Sequence, residues 1–214
     1  MKRFAPLLFA LLTVALLAGC AERRIPPIER PAGVYAVAGV TNPRYDWQLL
    51  AGYLPMEGRG VSREVLVQLD DTVEELLAQH GELGLIPSAS TRQCQEIVTF
   101  ENTSGSHISA LEYWVQVGRC VECDYLVVPQ LLYWQEREGS DWGVDRPAGV
   151  VMDVYIIDVQ NERLLARRHY DETQRPLTSD LGNAARHFER GGKWLTAGEL
   201  ARYGLDRMLQ ELGL

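Results

Sequence analysis

Lysine is almost missing from this chain: of 21 basic residues only Lys2 and Lys193 are lysines, set against 29 Asp and Glu. Lys2 and Arg3 lie in a removable leader, so 19 basic residues remain against the 29 acidic ones, a net charge of −10. Binding nucleic acid without sequence preference requires a positive stripe that releases phosphate counterions, and that class is excluded. The shortage also removes chemistry that depends on lysine. Ser-x-x-Lys cannot occur, because Arg190 stands three residues before Lys193, and no Gly-x-x-x-x-Gly-Lys phosphate cradle exists. Gly60-Val61-Ser62-Arg63-Glu64 lacks the final glycine of a nucleophile elbow. Histidine is sparse too: His80, His107, His169 and His187 stand singly and read as surface or packing residues. Asp124 occupies the place after Cys120-x-x-Cys123 where haem attachment needs histidine. No catalytic residue, cofactor or metal is therefore expected.

Long apolar runs are scarce as well. The one near the start, Phe4 to Leu17, rises only about 21 Å as a helix, short of the roughly 30 Å hydrocarbon core. With Lys2 and Arg3 before it and small residues after it, residues 1–19 read as a signal peptide. Leu17-Ala18-Gly19-Cys20 resembles the bacterial lipobox. That resemblance implies that the Cys20 thiol is acylated and that cleavage falls just before it. Ala21 rather than Asp at the next position implies the outer membrane, with the domain facing the periplasm. Two or more acyl chains hold stably where one holds only reversibly. Residues 20–33, with Pro26, Pro27 and Pro31, read as a stiff tether reaching up to roughly 40 Å from the lipid.

The rest, 34–214, has the ordinary composition of one packed domain, the whole chain being 46% hydrophobic and 23% charged. Val34 to Thr41 predicts a strand, and Asn42 to Gly60 a long loop carrying Tyr45, Trp47 and Tyr53. Ser62 caps a helix whose Val65, Leu66, Leu69, Val73, Leu76 and Leu77 share a face, ended by Gly81. Leu83 to Pro87 is expected as a short strand before a polar Thr- and Ser-rich region. Ser109 and Glu112 have capping-box spacing for a helix running to about Gly118. Period-two strands follow at Tyr125 to Arg137, Gly149 to Val159 and Arg163 to Asp171, with Pro129 requiring an edge or bulged position. Helices close the chain at Ser179 to about Arg190 and Thr196 to Leu212, the latter burying Leu200, Tyr203, Met208, Leu209 and Leu212. The expected class is α/β (α+β), a single mixed sheet flanked by helices in the order β-α-β-α-β-β-β-α.

This order resembles the TolB amino-terminal/CsgG-like periplasmic domain shared by several lipoproteins. Among these are the curli secretion channel lipoprotein, activators of penicillin-binding proteins and the Pel polysaccharide export lipoprotein. The matching residues are Cys123-Asp124-Tyr125-Leu126-Val127-Val128-Pro129, entering a central strand, and Val154-Tyr155-Ile156-Ile157-Asp158-Val159, starting a hairpin. Over residues 34 to 212 the resemblance implies that fold and an envelope role, with homo-oligomers among its members. A pore is the weaker expectation, because no spare alternating segments are left to build a barrel.

Besides Cys20, the cysteines are Cys94, Cys120 and Cys123. An oxidising periplasm favours one disulfide among them, with three pairings open. A Cys120/Cys123 redox pair is the rival, but such pairs open a helix, whereas this one follows a predicted helix. Asp153 and Asp158 lie inside strands with no second carboxylate beside them in sequence, and Asp158 reads as a turn residue. Tyr45, Trp47, Tyr53 and Trp142, the last at a predicted hairpin tip, are the candidate partner contacts, since large aromatics on loops dominate interface hot spots. Their rival role is folding back over the core. The expected function is a non-enzymatic, outer-membrane-anchored lipoprotein that docks an envelope protein partner. The alternatives are an oligomeric subunit of a secretion or export channel and a periplasmic thiol redox protein.

Overall fold

A computed structural model describes residues 28–55, 60–81, 84–102, 108–140, 143–175 and 193–214. The leader, Cys20, Trp142, His107, His187 and the helix expected at Ser179 to Arg190 lie outside the described residues. The chain runs β1 (Tyr35–Val37), α1 (Arg63–His80), α2 (Ser88–Glu101), α3 (Ala110–Val121) and β2 (Tyr125–Gln135). A small ribbon of β3 (Glu138–Gly139) and β4 (Val144–Arg146) follows, then β5 (Gly149–Asp158), β6 (Arg163–Thr173) and α4 (Ala197–Glu211). The main sheet has the order β1-β2-β5-β6, with β1 parallel to β2 and the other neighbours antiparallel. It is a mixed sheet flanked by helices, as expected. Among the described residues no helix is long and apolar enough to cross a membrane.

Both faces of the sheet are covered, which is why β2 and β5 are written as nearly continuous apolar runs. Side chains alternate across a strand. Val150, Met152, Val154 and Ile156 of β5 therefore pack with Leu69, Val73, Leu200 and Met208 of α1 and α4. Tyr155 and Ile157 pack instead with Val98, Trp114 and Val117 of α2 and α3. Each fully buried aliphatic side chain contributes about 1.5–3 kcal/mol. Gly118 lets α3 approach the sheet, since a Cβ there would meet Val159 Cγ2 at 2.5 Å.

Local signals placed three helix starts correctly. Ser62 Oγ accepts Val65 N–H, Ser109 Oγ accepts Glu112 N–H, and Thr196 with Glu199 forms a complete capping box. Three expectations need correction. Of the strand expected at Leu83 to Pro87, the described residues from 84 on form a single bridge, in which Ile86 exchanges hydrogen bonds with Tyr35 O and Val37 N–H on the outer edge of β1. The polar stretch after it is the 14-residue helix α2, hidden in the sequence because its buried stripe is Ser88, Thr91, Gln95 and Val98. Tyr203 was expected in the core but is 45% exposed, because α4 turns Leu200, Leu205 and Met208 inward instead.

Pro129 sits in an interior strand and not at an edge, yet beside a bulge. Ala38 N–H donates to Val127 O and Thr41 N–H to Pro129 O, so three residues of the first segment span two of β2. The absent N–H of Pro129 faces that irregularity, and no ladder bond is lost.

Candidate docking surface

The loop after β1 crosses the sheet face that α2 and α3 leave open, and buried polar side chains of the sheet hold it there. Gln130, 1% exposed, donates from Nε2 to Gln48 O at 3.0 Å and accepts Leu50 N–H on Oε1 at 3.4 Å. Tyr155 Oη shares its single proton between Ala51 O at 3.0 Å and the Asp153 carboxylate at 2.9 Å. Asn42 Nδ2 donates to Leu131 O at 2.8 Å, while its Oδ1 accepts Val61 N–H. Backbone groups must find partners when covered, and these amides and the phenol supply them where no strand neighbour exists. Within the loop, Gln48 Oε1 accepts the N–H groups of Arg44 and Tyr45, closing the 3-10 turn Asp46–Gln48.

That turn presents Tyr45 and Trp47 side by side. Their rings are 6.0 Å apart and nearly parallel at 7°, and they are 60% and 41% exposed. Beside them, between the loop and the α2/α3 hairpin, lies a cavity of about 300 Å³. Pro43, Trp47, Ile108, Tyr113, Trp114 and Gln130 are among its lining, and none of the described residues there is charged. Tyr53, 84% exposed, lies across the loop from this pair, on a second cleft shared with Arg167, His169 and Asp171.

The floor near that second cleft holds a buried charge. Asp153 is fully buried and accepts four hydrogen bonds. They come from Arg167 Nε (3.1 Å) and Nη2 (3.0 Å), Tyr155 Oη (2.9 Å) and, in the tautomer that donates there, His169 Nδ1 (2.9 Å). The hydrogen bond to Asp153 holds the Arg167 guanidinium above its ordinary value. Burial, then the Asp153 charge, raises the Tyr155 phenol. Gly52, at φ +90°, makes room for this arginine: a Cβ there would lie 2.7 Å from Nη2. Asp153 is thus an anchor for β5, β6 and the loop. Its one warning in the sequence was a carboxylate inside an otherwise apolar strand buried on both sides. Gln130, between Pro129 and Leu131, carried the same signal.

Asp158 holds the β5–β6 turn, accepting Asn161 N–H at 3.0 Å and Arg163 Nε at 3.1 Å. These bonds outweigh its desolvation and place its carboxyl below the usual range. His80, taken as a lone residue, bridges α1 to α4 through Asp206 Oδ1 at 2.6 Å.

Cys94 and Cys120 are bonded, tying α2 to α3 with Cα atoms 5.8 Å apart. Cys123 is a buried free thiol whose Sγ contacts Gly118 O at 3.5 Å, and burial pushes it up to about 11. A Cys120/Cys123 redox pair needs those two sulfurs to join and one to ionise readily. Cys120 is committed to the other helix and Cys123 is held protonated.

These features define a class: a three-layer α/β domain whose sheet carries a pinned aromatic loop flanked by an apolar cavity and a polar cleft. No family model and no curated protein matches the chain. Several solved structures are similar in fold. A PelC dodecamer from Paraburkholderia phytofirmans is 12% identical over 84% of this chain and 86% of that one, with a TM-score of 0.45. The C-terminal domain of LpoB from Escherichia coli is 13% identical over 76% and 93%, at 0.38. A lipoprotein from Neisseria meningitidis is 12% identical over 75% and 97%, at 0.39. At such identities and TM-scores below 0.5, no functional step rests on them.

Proposed function

We propose that this chain is a non-enzymatic lipoprotein, anchored through acylated Cys20 in the outer membrane, that docks a periplasm-facing envelope protein and so positions or activates it. The observation that carries the docking surface is the stacked, exposed Tyr45–Trp47 pair on a loop fixed to a rigid sheet, beside a cavity whose described lining carries no charge. Rigid aromatics lose little entropy on binding and dominate hot spots. The anchor is supported by Leu17-Ala18-Gly19-Cys20 and by the proline-bearing stretch behind it. Mechanism follows from confinement: a lipid and a short tether raise the domain's effective concentration for membrane-proximal partners to about the millimolar range.

Photo-crosslinking in cells from position 47, with position 67 on α1 as a control, tests the docking surface. A discrete heterologous adduct from 47 alone is expected. Adducts only to a second copy of this chain would point to a ring-forming subunit instead, and equal labelling from both positions would refute the surface. Cys20→Ser tests the anchor separately: the protein should accumulate as unprocessed precursor, and normal maturation with membrane fractionation contradicts it.

A further inference from the structure

We infer that the end of the domain where α1 and α4 finish lies against the phospholipid surface that carries the Cys20 acyl chains, which turns the Tyr45–Trp47 pair away from the bilayer. The inference rests on the acylated anchor proposed above and adds which side of the body faces the lipid. Its first support is that the chain is fastened before it reaches β1. Ile28 N–H donates to Glu211 O at 3.2 Å, at the end of α4, and the Ile28 side chain packs against the core shared by α1, α4 and the sheet. Gly213, at φ +74°, makes room for this crossing, because a Cβ there would lie 2.6 Å from Ile28 O. Arg30 lies over the Tyr35 ring at 5.2 Å, Tyr35 Oη donates to Pro31 O at 3.0 Å, and Val34 N–H donates to Asp124 Oδ2 at 2.8 Å. Residues 28–33 are therefore part of the body, and the leash between lipid and body is cut from fourteen residues, 20–33, to eight, 20–27. Fully extended, those eight residues span at most roughly 28 Å.

The second support is where the two surfaces stand. Ile28 packs on the α1/α4 face, near the end of the sheet at which β1 begins, since Arg30 covers Tyr35. The aromatic loop leaves the other end of that first segment. Thr41 pairs with Gln130, five positions along β2 from the Tyr125 that pairs with Tyr35, a distance of about 17 Å. Gln48 and Ala51 are held over Gln130 and Tyr155, and Tyr155 belongs to the α2/α3 face. A domain of this size has a radius of gyration of about 16 Å and a breadth of about 40 Å. Laying the Tyr45–Trp47 side on the bilayer would lift Ile28, on the opposite face, through most of that breadth. The leash, about 25 Å long as a polyproline helix, is too short to follow. The end left near the lipid is charge-paired. Arg168 and Arg207 both meet Glu211, Arg163 meets Asp158 and Arg119 meets Glu162. Headgroups can approach it without stranding a lone charge. A partner must then come to Tyr45 and Trp47 from the aqueous side and not from within the plane of the same membrane.

The test uses the full lipidated protein in phosphatidylcholine nanodiscs that carry an acceptor dye on some headgroups. A donor dye is attached through an unnatural amino acid at position 210 on α4 or at position 45, both exposed. Energy transfer from 210 should be several-fold higher than from 45. Inserting about twenty Gly and Ser residues between Pro27 and Ile28 should bring the two values together, because a coil of that length reaches around the body. Glutamate-specific proteolysis of the folded protein should spare the bond after Glu29, and Gly213→Val, whose side chain displaces Ile28, should open that bond to cleavage. Equal transfer from the two positions, higher transfer from 45, an asymmetry that survives the long insertion, or cleavage after Glu29 that is the same in the wild type and in Gly213→Val would each overturn the inference. A failed anchor shows separately, as protein that never enters the discs, and takes this inference with it. Any of the other adverse results leaves both the anchor and crosslinking from position 47 standing.

Discussion

Removing the Arg167 guanidinium should damage this protein far more than removing the charge it neutralises. In Arg167→Met, the Asp153 carboxylate, buried at zero exposure, loses two of its four hydrogen bonds together with the guanidinium charge beside it. Stripping one partner from a buried ion pair costs about 3–5 kcal/mol. In Asp153→Asn the orphan is Arg167, whose side chain is one-third exposed and can hydrate. The amide oxygen can still accept from Tyr155 or His169, so about 1–2 kcal/mol is expected. Against a typical total of about 5–15 kcal/mol, the first loss is a large fraction. Urea unfolding followed by far-UV circular dichroism reads both. With a slope near 2.5 kcal/mol/M, the midpoint should fall by about 1.2–2 M for Arg167→Met and by well under 1 M for Asp153→Asn. If the arginine variant is no less stable than the asparagine variant, Asp153 is not held as argued.

Other expectations follow from the same contacts. Cys94→Ser should lower stability by about 3.5 kcal/mol, the value for closing a loop of this length, and reductant should shift the wild-type melting temperature but not the variant's; an unshifted wild type would contradict the bridge. Cys123 should resist a thiol reagent at pH 8 until the chain is unfolded, and labelling of the native protein at the unfolded rate would refute its burial. Its folded value is raised from 9.0 to about 11. Its contribution is therefore complete below pH 9 and lost as pH climbs through that window, so Cys123→Ala should flatten the alkaline part of the stability profile. Gln130→Leu orphans Gln48 O and Leu50 N–H and should cost about 1–3 kcal/mol. Faster proteolysis between residues 42 and 55 should accompany that loss; unchanged cleavage would show that the loop is held elsewhere.

Much of the architecture could be read before any coordinates. Val, Ile and Leu in runs at β2 and β5 announce strands buried on both faces, and Ser62, Ser109 and Thr196 announce helix starts, because a capping hydroxyl acts on an N–H only three residues away. Where a helix hides its inner face behind serine, threonine and glutamine, as α2 does, the periodic signal disappears although the burial remains. The aromatic loop was recognisable as a candidate from its length and composition. Its stacked pair and its neighbouring cavity were not.

Local chemistry along the chain thus determined the helix caps and the core strands, since each depends on residues a few positions apart. Tertiary structure alone decided that Cys94 joins Cys120, that Asp153 meets Arg167 and His169, and that Gln130 holds a loop 82 residues before it. Those pairings depend on strand register and on how α2 packs against α3. Both are set by which apolar faces bury together, and spacing along the chain does not encode that choice.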